Sequence, residues 1–444
     1  MSIRLIKKLI LVSGLLSAGF SINQNTDFIL LPCLPLLYGL LYYFLVPSDR
    51  NIGAGFATLT AVLYVRYIIY PVSLKLSGYD ILGDPRLAKY AILLMLYEMI
   101  VIMITLWAFS RKQSNVLRTA IVPKGISPVI PVLFAVIMIY IVVFQSDVYV
   151  NRRWIWQSGM INQETVSVNG LFLELAKWGE FFIIIYLFYK LYTKYLKTRR
   201  RVYYLISLVI LFLPCLTFTG HSRLSLLIPL ISYVFFIIKV YPQNSKAAIR
   251  FVSVYTLLAM LFLTLQKTFG DTSLTEIETE SQAQILNSYF GGIDNVILGI
   301  EAYESYGRSM YYWLVDTFRN MMGVSKYLEG LPSTLDFFNM SYYKYMPGYS
   351  SDQIPPTVTQ GLMYFGPFFC FIPTVIMTLC VCVADDIYFR TSDLMVAYLC
   401  LGFCIAVAWA LPGSYMHLTT RIFNYLLPLV VLVYINKKLR VRVR

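Results

Sequence analysis

Charge is scarce in this chain: only 14% of its 444 residues are Asp, Glu, Lys or Arg, while 58% are hydrophobic. A soluble domain carries about 25% charged residues, so the shortage excludes an ordinary water-soluble fold. The seven cysteines, Cys33, Cys215, Cys370, Cys380, Cys382, Cys400 and Cys404, all lie in or beside apolar runs, and none falls in the long polar stretch from 269 to 353. That argues against a disulfide-stapled outer domain. Cys400 and Cys404 share a helix face, but buried cysteine usually serves as a small apolar residue, and no metal site is expected from them. The sequence also lacks an internal repeat, a low-complexity tract and a separate soluble domain, which leaves one polytopic membrane domain over residues 1–444.

What is abundant is apolar sequence in helix-length runs. The hydrocarbon core of a bilayer needs about 20 apolar residues per helix. Spans are expected near 5 to 22, 28 to 46, 52 to 73, 88 to 109, 126 to 146, 171 to 191, 202 to 218, 222 to 241, 250 to 268, 354 to 384, 394 to 411 and 421 to 436. The fold class expected is therefore all-α, a polytopic integral membrane protein of about twelve transmembrane helices.

Basic residues are retained on the cytoplasmic side of span ends, which orients the chain. Arg4, Lys7 and Lys8 place the N-terminus inside, and the even-numbered connections carry Arg50, then Arg111, Lys112, Arg118 and Lys124, then Lys194 to Arg201, then Lys246 and Arg250. Lys437, Lys438, Arg440, Arg442 and Arg444 place the C-terminus inside as well. The net charge of +14 is thus mainly a topology signal, with basic clusters positioned to touch anionic membrane lipids, and no nucleic-acid partner is expected. Arg4 to Gly19 also fits a secretory signal. An uncleaved first helix is the reading adopted, and the topology is the same either way.

The orientation puts the 85-residue stretch 269–353 outside the cytoplasm. A pore or simple carrier has little need of such an insertion. Eleven acidic side chains there face four basic ones, opposite in sign to the cytoplasmic face. Residues 283 to 303 and 309 to 328 alternate apolar and polar positions at helical spacing, which predicts amphipathic helices on the outer surface. Ten tyrosines, among them Tyr311 and Tyr312, offer apolar rings with hydroxyl tips. Such surfaces suit sugars, and equally suit the aromatic belt of a membrane interface.

Charges that oppose the topology rule are more telling. Arg66 lies in the third span and Glu98 in the fourth. At about 1.5 Å rise per residue their heights differ by only about 6 Å, so an ion pair is expected, either locking two helices or serving function. Thr219, Gly220, His221, Ser222 and Arg223 form a tight outer hairpin that ends at the start of a helix, where free N–H groups favour an anion. The guanidinium of Arg223 adds a planar fork that matches phosphate oxygens. His417 stands four residues before Arg421, on one helix face at the outer start of the last span. Arg152 and Arg153 in another outer loop, with Arg308 and Arg319 in the long one, are candidates for a basic pocket. Glu174, Lys177 and Glu180 read equally well as an internally neutralised ladder.

Together these features resemble the bacterial O-antigen and capsular polysaccharide polymerases of the Wzy type. The likeness covers most of the chain as architecture: about twelve spans, both termini inside, a short outer hairpin at Thr219 to Arg223 and one long outer loop late in the sequence. Pro355-Pro356-Thr357-Val358-Thr359-Gln360-Gly361 and Tyr364-Phe365-Gly366, where that loop returns to the membrane, look like the corresponding stretch of the family. The resemblance implies oligosaccharide repeat units on undecaprenyl diphosphate as substrates, joined at the outer face of the bacterial cytoplasmic membrane with release of undecaprenyl diphosphate. It implies no cofactor, no nucleotide sugar and no obligatory metal, and no Asp-x-Asp pair stands in an outer loop. It also implies a chain-length regulator and a flippase of the same pathway as partners.

In that chemistry, guanidinium groups stabilise the charge that builds on the departing diphosphate. Arg223 is the first candidate, with Arg66, Arg319 and Arg421 after it. Arg152, Arg153, Arg308, Tyr311 and Tyr312 complete the expected diphosphate or glycan contacts. His221, His417, Asp294 and Glu301 are candidates for the base that accepts the proton of the acceptor hydroxyl. An O-antigen ligase shares donor and architecture, a lipid-linked oligosaccharide flippase shares span number and basic residues, and a nonenzymatic exporter or scaffold stands as a third alternative.

Overall fold

The computed structural model describes residues 3–47, 53–111, 120–122, 125–149, 152–154, 170–219, 224–270, 282–346 and 354–442. Helices account for 81% of the structure. In chain order these are α1 (Ile3–Ser21), α2 (Cys33–Leu45), α3 (Ala54–Tyr64), α4 (Tyr70–Leu76), α5 (Ala88–Arg111), α6 (Val129–Phe144), α7 (Gly170–Thr198), α8 (Arg201–Phe212), α9 (Leu224–Val240) and α10 (Ser245–Gly270). They continue with α11 (Gln282–Phe290), α12 (Ile293–Tyr306), α13 (Met310–Phe318), α14 (Thr334–Tyr343), α15 (Thr357–Phe365), α16 (Ile372–Arg390), α17 (Leu394–Ala410), α18 (Tyr415–Thr420) and α19 (Leu427–Arg442). The one ladder among the described residues pairs β1 (Arg152–Trp154) antiparallel with β2 (Thr217–Thr219).

Among the described residues, five helical stretches are long and apolar enough to cross a membrane: Thr26–Leu45, Ala54–Leu76, Pro85–Arg111, Ile372–Arg390 and Tyr415–Leu439. Val129–Phe144, Arg201–Leu216, Leu227–Val240 and Leu394–Ala410 are apolar but shorter. The 16 residues of α6 rise about 24 Å, less than the roughly 30 Å of a hydrocarbon core.

The chain divides into two compact units. One comprises Met1–Val116, Glu278–Asp386 and Ala406–Arg421; the other comprises Leu117–Ile277, Ile387–Ile405 and Ile422–Arg444. In the first unit α1 lies against α2, with Gly14 so near that a Cβ there would stand 2.7 Å from the Pro35 carbonyl oxygen. Here α3 and α4 are joined through a π-helical turn, Val65–Ile69. The N-terminus of α3 is held by Asp385, whose carboxylate accepts from the N–H groups of Gly55 (3.1 Å) and Phe56 (3.4 Å). A carboxylate there satisfies orphan donors and complements the helix dipole.

In the second unit Phe134 stacks on Phe182, and Trp178 donates to the Asn424 carbonyl at 2.9 Å. Lys239, at the end of α9, donates to the carbonyls of Tyr388 and Phe389 at the end of α16 and lies over the Tyr388 ring. A cation suits carbonyls that have no partner within their own helix. Asn436 pairs with Ser127 through two hydrogen bonds, and Val122 N–H donates to the Ser392 carbonyl.

The described residues between 282 and 390 depart from expectation in four ways. Residues 283 to 303 are not one surface helix. They break at Gly291 and Gly292, because Gly291 has φ +57° and a Cβ there would lie 2.2 Å from the Pro412 carbonyl oxygen. Nor is α12 half exposed: every residue from Ile293 to Ala302 is buried, so it forms the centre of the first unit, in contact with α5, α14 and α15. The helix expected over 309 to 328 ends at Phe318 and gives way to turns, with Gly323 at φ +85°. Finally, the stretch expected as one span from 354 to 384 is two helices. All of Thr357 to Tyr364 in α15 are buried, α15 ends at Gly366 with φ +79°, and α16 starts at Ile372.

Candidate functional site

Arg66 and Glu98 meet as their heights in the spans suggested. Arg66 Nη2 stands 2.8 Å from Glu98 Oε2, and neither side chain is exposed. Glu98 also accepts from the Tyr67 hydroxyl at 3.2 Å and, at its other oxygen, from Thr374 Oγ1 at 3.1 Å. The carboxylate is therefore held from α5 by two other helical segments. Arg66 is less well served, since none of its three nitrogens finds a hydrogen-bond partner among the described residues, Nη2 making only the ion pair. It sits in the π-helical turn Val65–Ile69, a distortion that occurs often at functional sites. Arg421 begins a second π-helical turn, Arg421–Leu426. Both Arg421 and His417 are exposed.

His221, Ser222 and Arg223 lie outside the described residues. Of the residues expected to form a basic pocket, Arg152 and Arg153 lie in the two-stranded ladder, where Arg152 pairs with Thr219 and Arg153 with Phe218. The ladder thus brings the Arg152–Arg153 segment alongside the strand that leads into residues 220 to 223. Arg308 is exposed and lies against Gly366, where a Cβ would stand 3.0 Å from its Nη1. Arg319 is engaged elsewhere. Its Nη1 is 2.8 Å from Asp336 Oδ2 and 3.3 Å from the Leu331 carbonyl oxygen. Asp336 in turn completes a capping box with Ser333 at the start of α14, so Arg319 stabilises a helix end. Tyr311 is exposed, while Tyr312 packs edge-on against Phe337 with ring centroids 5.1 Å apart.

The two acidic candidates stand two turns apart on α12. Asp294, only 2% exposed, accepts from the Tyr70 hydroxyl at 3.2 Å. Burial pushes its carboxyl up to about 7, although the hydrogen bonds from the Leu82 backbone and Tyr70 pull the other way. Glu301 faces a polar cavity of about 310 Å³, bordered also by Asp84, Glu304, Tyr306, Lys344 and Tyr345. Its Oε1 accepts from the Asp84 N–H at 3.0 Å and the Tyr345 hydroxyl at 2.7 Å, and its Oε2 lies 3.9 Å from Lys344 Nζ. One carboxylate thereby ties the segment before α5 and the end of α14 to the central helix.

Asp316 is a functional candidate that sequence patterning missed. It is fully buried, and its Oδ2 accepts from the Tyr364 hydroxyl at 2.6 Å and from both the N–H and the hydroxyl of Thr334. Gln360 extends the chain of contacts: its Nε2 donates to Thr334 Oγ1 at 3.0 Å, and its Oε1 accepts from Ser414 Oγ and Tyr415 N. Four elements, α13, α14, α15 and α18, are joined by this network. Asp316 Oδ1 has no hydrogen-bond partner among the described residues. Burial pushes the carboxyl up to about 6, opposed by the Thr334 and Tyr364 hydrogen bonds and by Arg319. The available signal was that Asp316 is the only charge in the apolar helix Met310–Phe318.

Raised carboxyl values give a pH dependence with a definite sign. Where the folded state binds more protons than the unfolded one, stability falls as pH rises. For Asp294 the window runs from its ordinary value of 3.8 to about 7. Stability from this group is fully present below the window and lost above it. The melting temperature of the purified protein is expected to decline across that range, and Asp294→Asn, which cannot ionise, is expected to flatten the profile. A wild-type profile that rises from pH 4 to 7 and is unaltered by Asp294→Asn would contradict the burial argument.

No family model, curated protein or solved structure matches the chain.

Proposed function

We propose that the chain polymerises undecaprenyl-diphosphate-linked oligosaccharide repeat units into O-antigen or capsular polysaccharide, at the outer face of the bacterial cytoplasmic membrane. The observation that carries this reading is the polar cavity under α12, which combines carboxylates, an ammonium group and tyrosine rings within a chain that is 58% hydrophobic. Sugars present hydroxyls to such groups and C–H faces to such rings. The stretch that forms most of this cavity is the one assigned to the outside by the distribution of basic residues.

In the proposed reaction the hydroxyl of an incoming lipid-linked unit attacks the anomeric carbon of the growing chain. A glycosidic bond forms, the bond from that carbon to the phosphate oxygen breaks, and undecaprenyl diphosphate leaves with the electron pair. The hydroxyl proton passes to a base. Glu301 suits that role, because Oε2 retains acceptor capacity while Oε1 is anchored by two donors. Fixed guanidinium groups stabilise the charge on the leaving diphosphate. Arg223 is the first candidate by its place in the sequence, followed by Arg421, whereas Arg319 is neutralised by Asp336 and the fully buried Arg66 by Glu98.

The test is a glycan ladder from cells that lack the protein. Single repeat units without long chains are the expected result, and an Arg223→Ala chain is expected not to restore the ladder. Loss of all surface glycan points to a ligase or flippase instead. Long chains persisting in the deletion strain would end the polymerase reading.

A further inference from the structure

The cavity beside Glu301 has a charge pattern that selects among sugars. Its carboxylates are not equivalent. Asp84 is clamped by Arg86, whose Nε and Nη2 both donate to it, with Nη2 at 2.7 Å. Glu301 has the Tyr345 hydroxyl, the Asp84 N–H and, more distantly, Lys344. Glu304, one turn further along α12, is exposed and makes no hydrogen bond or ion pair among the described residues. Lys344 is the single basic side chain of the lining and already faces Glu301, so the unbalanced charge in the cavity is negative. Tyr306 completes one wall. Its ring is stacked on Phe337 with centroids 4.3 Å apart and planes 22° apart, yet the residue keeps 40% of its surface open. A ring fixed from behind and open in front can stack on a sugar with little loss of side-chain freedom.

We infer that this cavity binds one residue of the substrate glycan, favours a sugar bearing a free amine, accepts a neutral one, and rejects an acidic one. Resting on the polymerase reading, it adds the substrate class. Size limits the occupant: about 310 Å³ lies at the low end of ligand cavities, enough for a sugar residue but not for a whole repeat unit. An ammonium group meets the open Glu304 carboxylate, and neutral hydroxyls donate to Glu301 Oε2. A uronate meets the surplus of like charge, with only the already engaged Lys344 to receive it.

The test is calorimetric binding to the full-length protein in lipid nanodiscs, at a pH where the amine is protonated. The probes are tetrasaccharides of glucosamine, N-acetylglucosamine and galacturonate. Affinity should fall in that order, with no heat from galacturonate. Glu304→Gln should reduce the preference for glucosamine over N-acetylglucosamine by about threefold, the worth of one exposed ion pair. Tyr306→Ala should weaken both. Galacturonate binding as tightly as the others, an unchanged preference in Glu304→Gln, or no binding of any probe to folded wild-type protein would overturn the assignment. The ladder experiment is independent of these outcomes. A reversed affinity order with a lost ladder refutes the sugar assignment alone, and the expected order with an intact ladder refutes the polymerase reading alone.

Discussion

Arg66→Ala is expected to destabilise the protein by about 3–5 kcal/mol, the usual result of removing one partner from a buried ion pair. The cause is the carboxylate left behind. Glu98 is completely buried, and without Arg66 it retains only the neutral donors Tyr67 and Thr374. Glu98→Leu should be comparably harmful, because all three nitrogens of the stranded guanidinium already lack hydrogen bonds among the described residues. The double variant Arg66→Met/Glu98→Leu removes both charges and should recover most of the loss, since a buried pair replaced by apolar groups of similar size is often neutral or better. Thermal unfolding of the four proteins in one detergent gives the comparison. If the single variants melt with the wild type, the pair is not sealed from water and its structural importance is refuted. If all variants fold and melt alike but fail to make long chains, Arg66 serves the substrate alone.

Asp316→Ala should cost roughly 2–6 kcal/mol, because the buried hydroxyls of Tyr364 and Thr334 each lose an acceptor at about 1–3 kcal/mol apiece. Asp316→Asn is the informative companion. Its amide oxygen can still accept from both hydroxyls, and the substitution removes a charge that burial disfavours. Asn at this position should therefore fold at least as well as Asp at neutral pH, and the melting temperature should lose part of its decline between pH 4 and 6. Asn and Ala variants equally destabilised would refute the account. A stable Asn variant without polymerising activity would show that the carboxylate takes part in the reaction and does more than join four helices.

Apolar runs made the helices legible in the sequence, and the heights of Arg66 and Glu98 in their spans anticipated the pair they form. Composition is a sufficient guide to those features because helix length and the cost of a buried charge are set locally. Residues 269 to 353 were harder to read. Asp294, Asn295 and Glu301 gave α12 an amphipathic look, but their partners Tyr70, Asn287, Asp84 and Tyr345 come from other elements, so residues 293 to 302 are all buried. A polar residue satisfied by a distant partner has the same sequence signature as one facing water. The break at Gly291–Gly292 and the split between α15 and α16 depend on close backbone approaches, to Pro412 and Cys370 respectively, that have no local pattern. For the same reason the Asp316 network was invisible: its members are spread from Asp316 to Tyr415. The π-helical turns at Arg66 and Arg421 likewise leave no mark on residue type.

The most direct test of the polymerase reading uses the purified protein in liposomes supplied with undecaprenyl-diphosphate-linked repeat units and no other protein. Glycan chains of several repeats still attached to lipid diphosphate are expected, with one undecaprenyl diphosphate released for every new linkage. Repeat units that cross the bilayer unjoined, or that remain unchanged in the presence of folded protein, would contradict that reading.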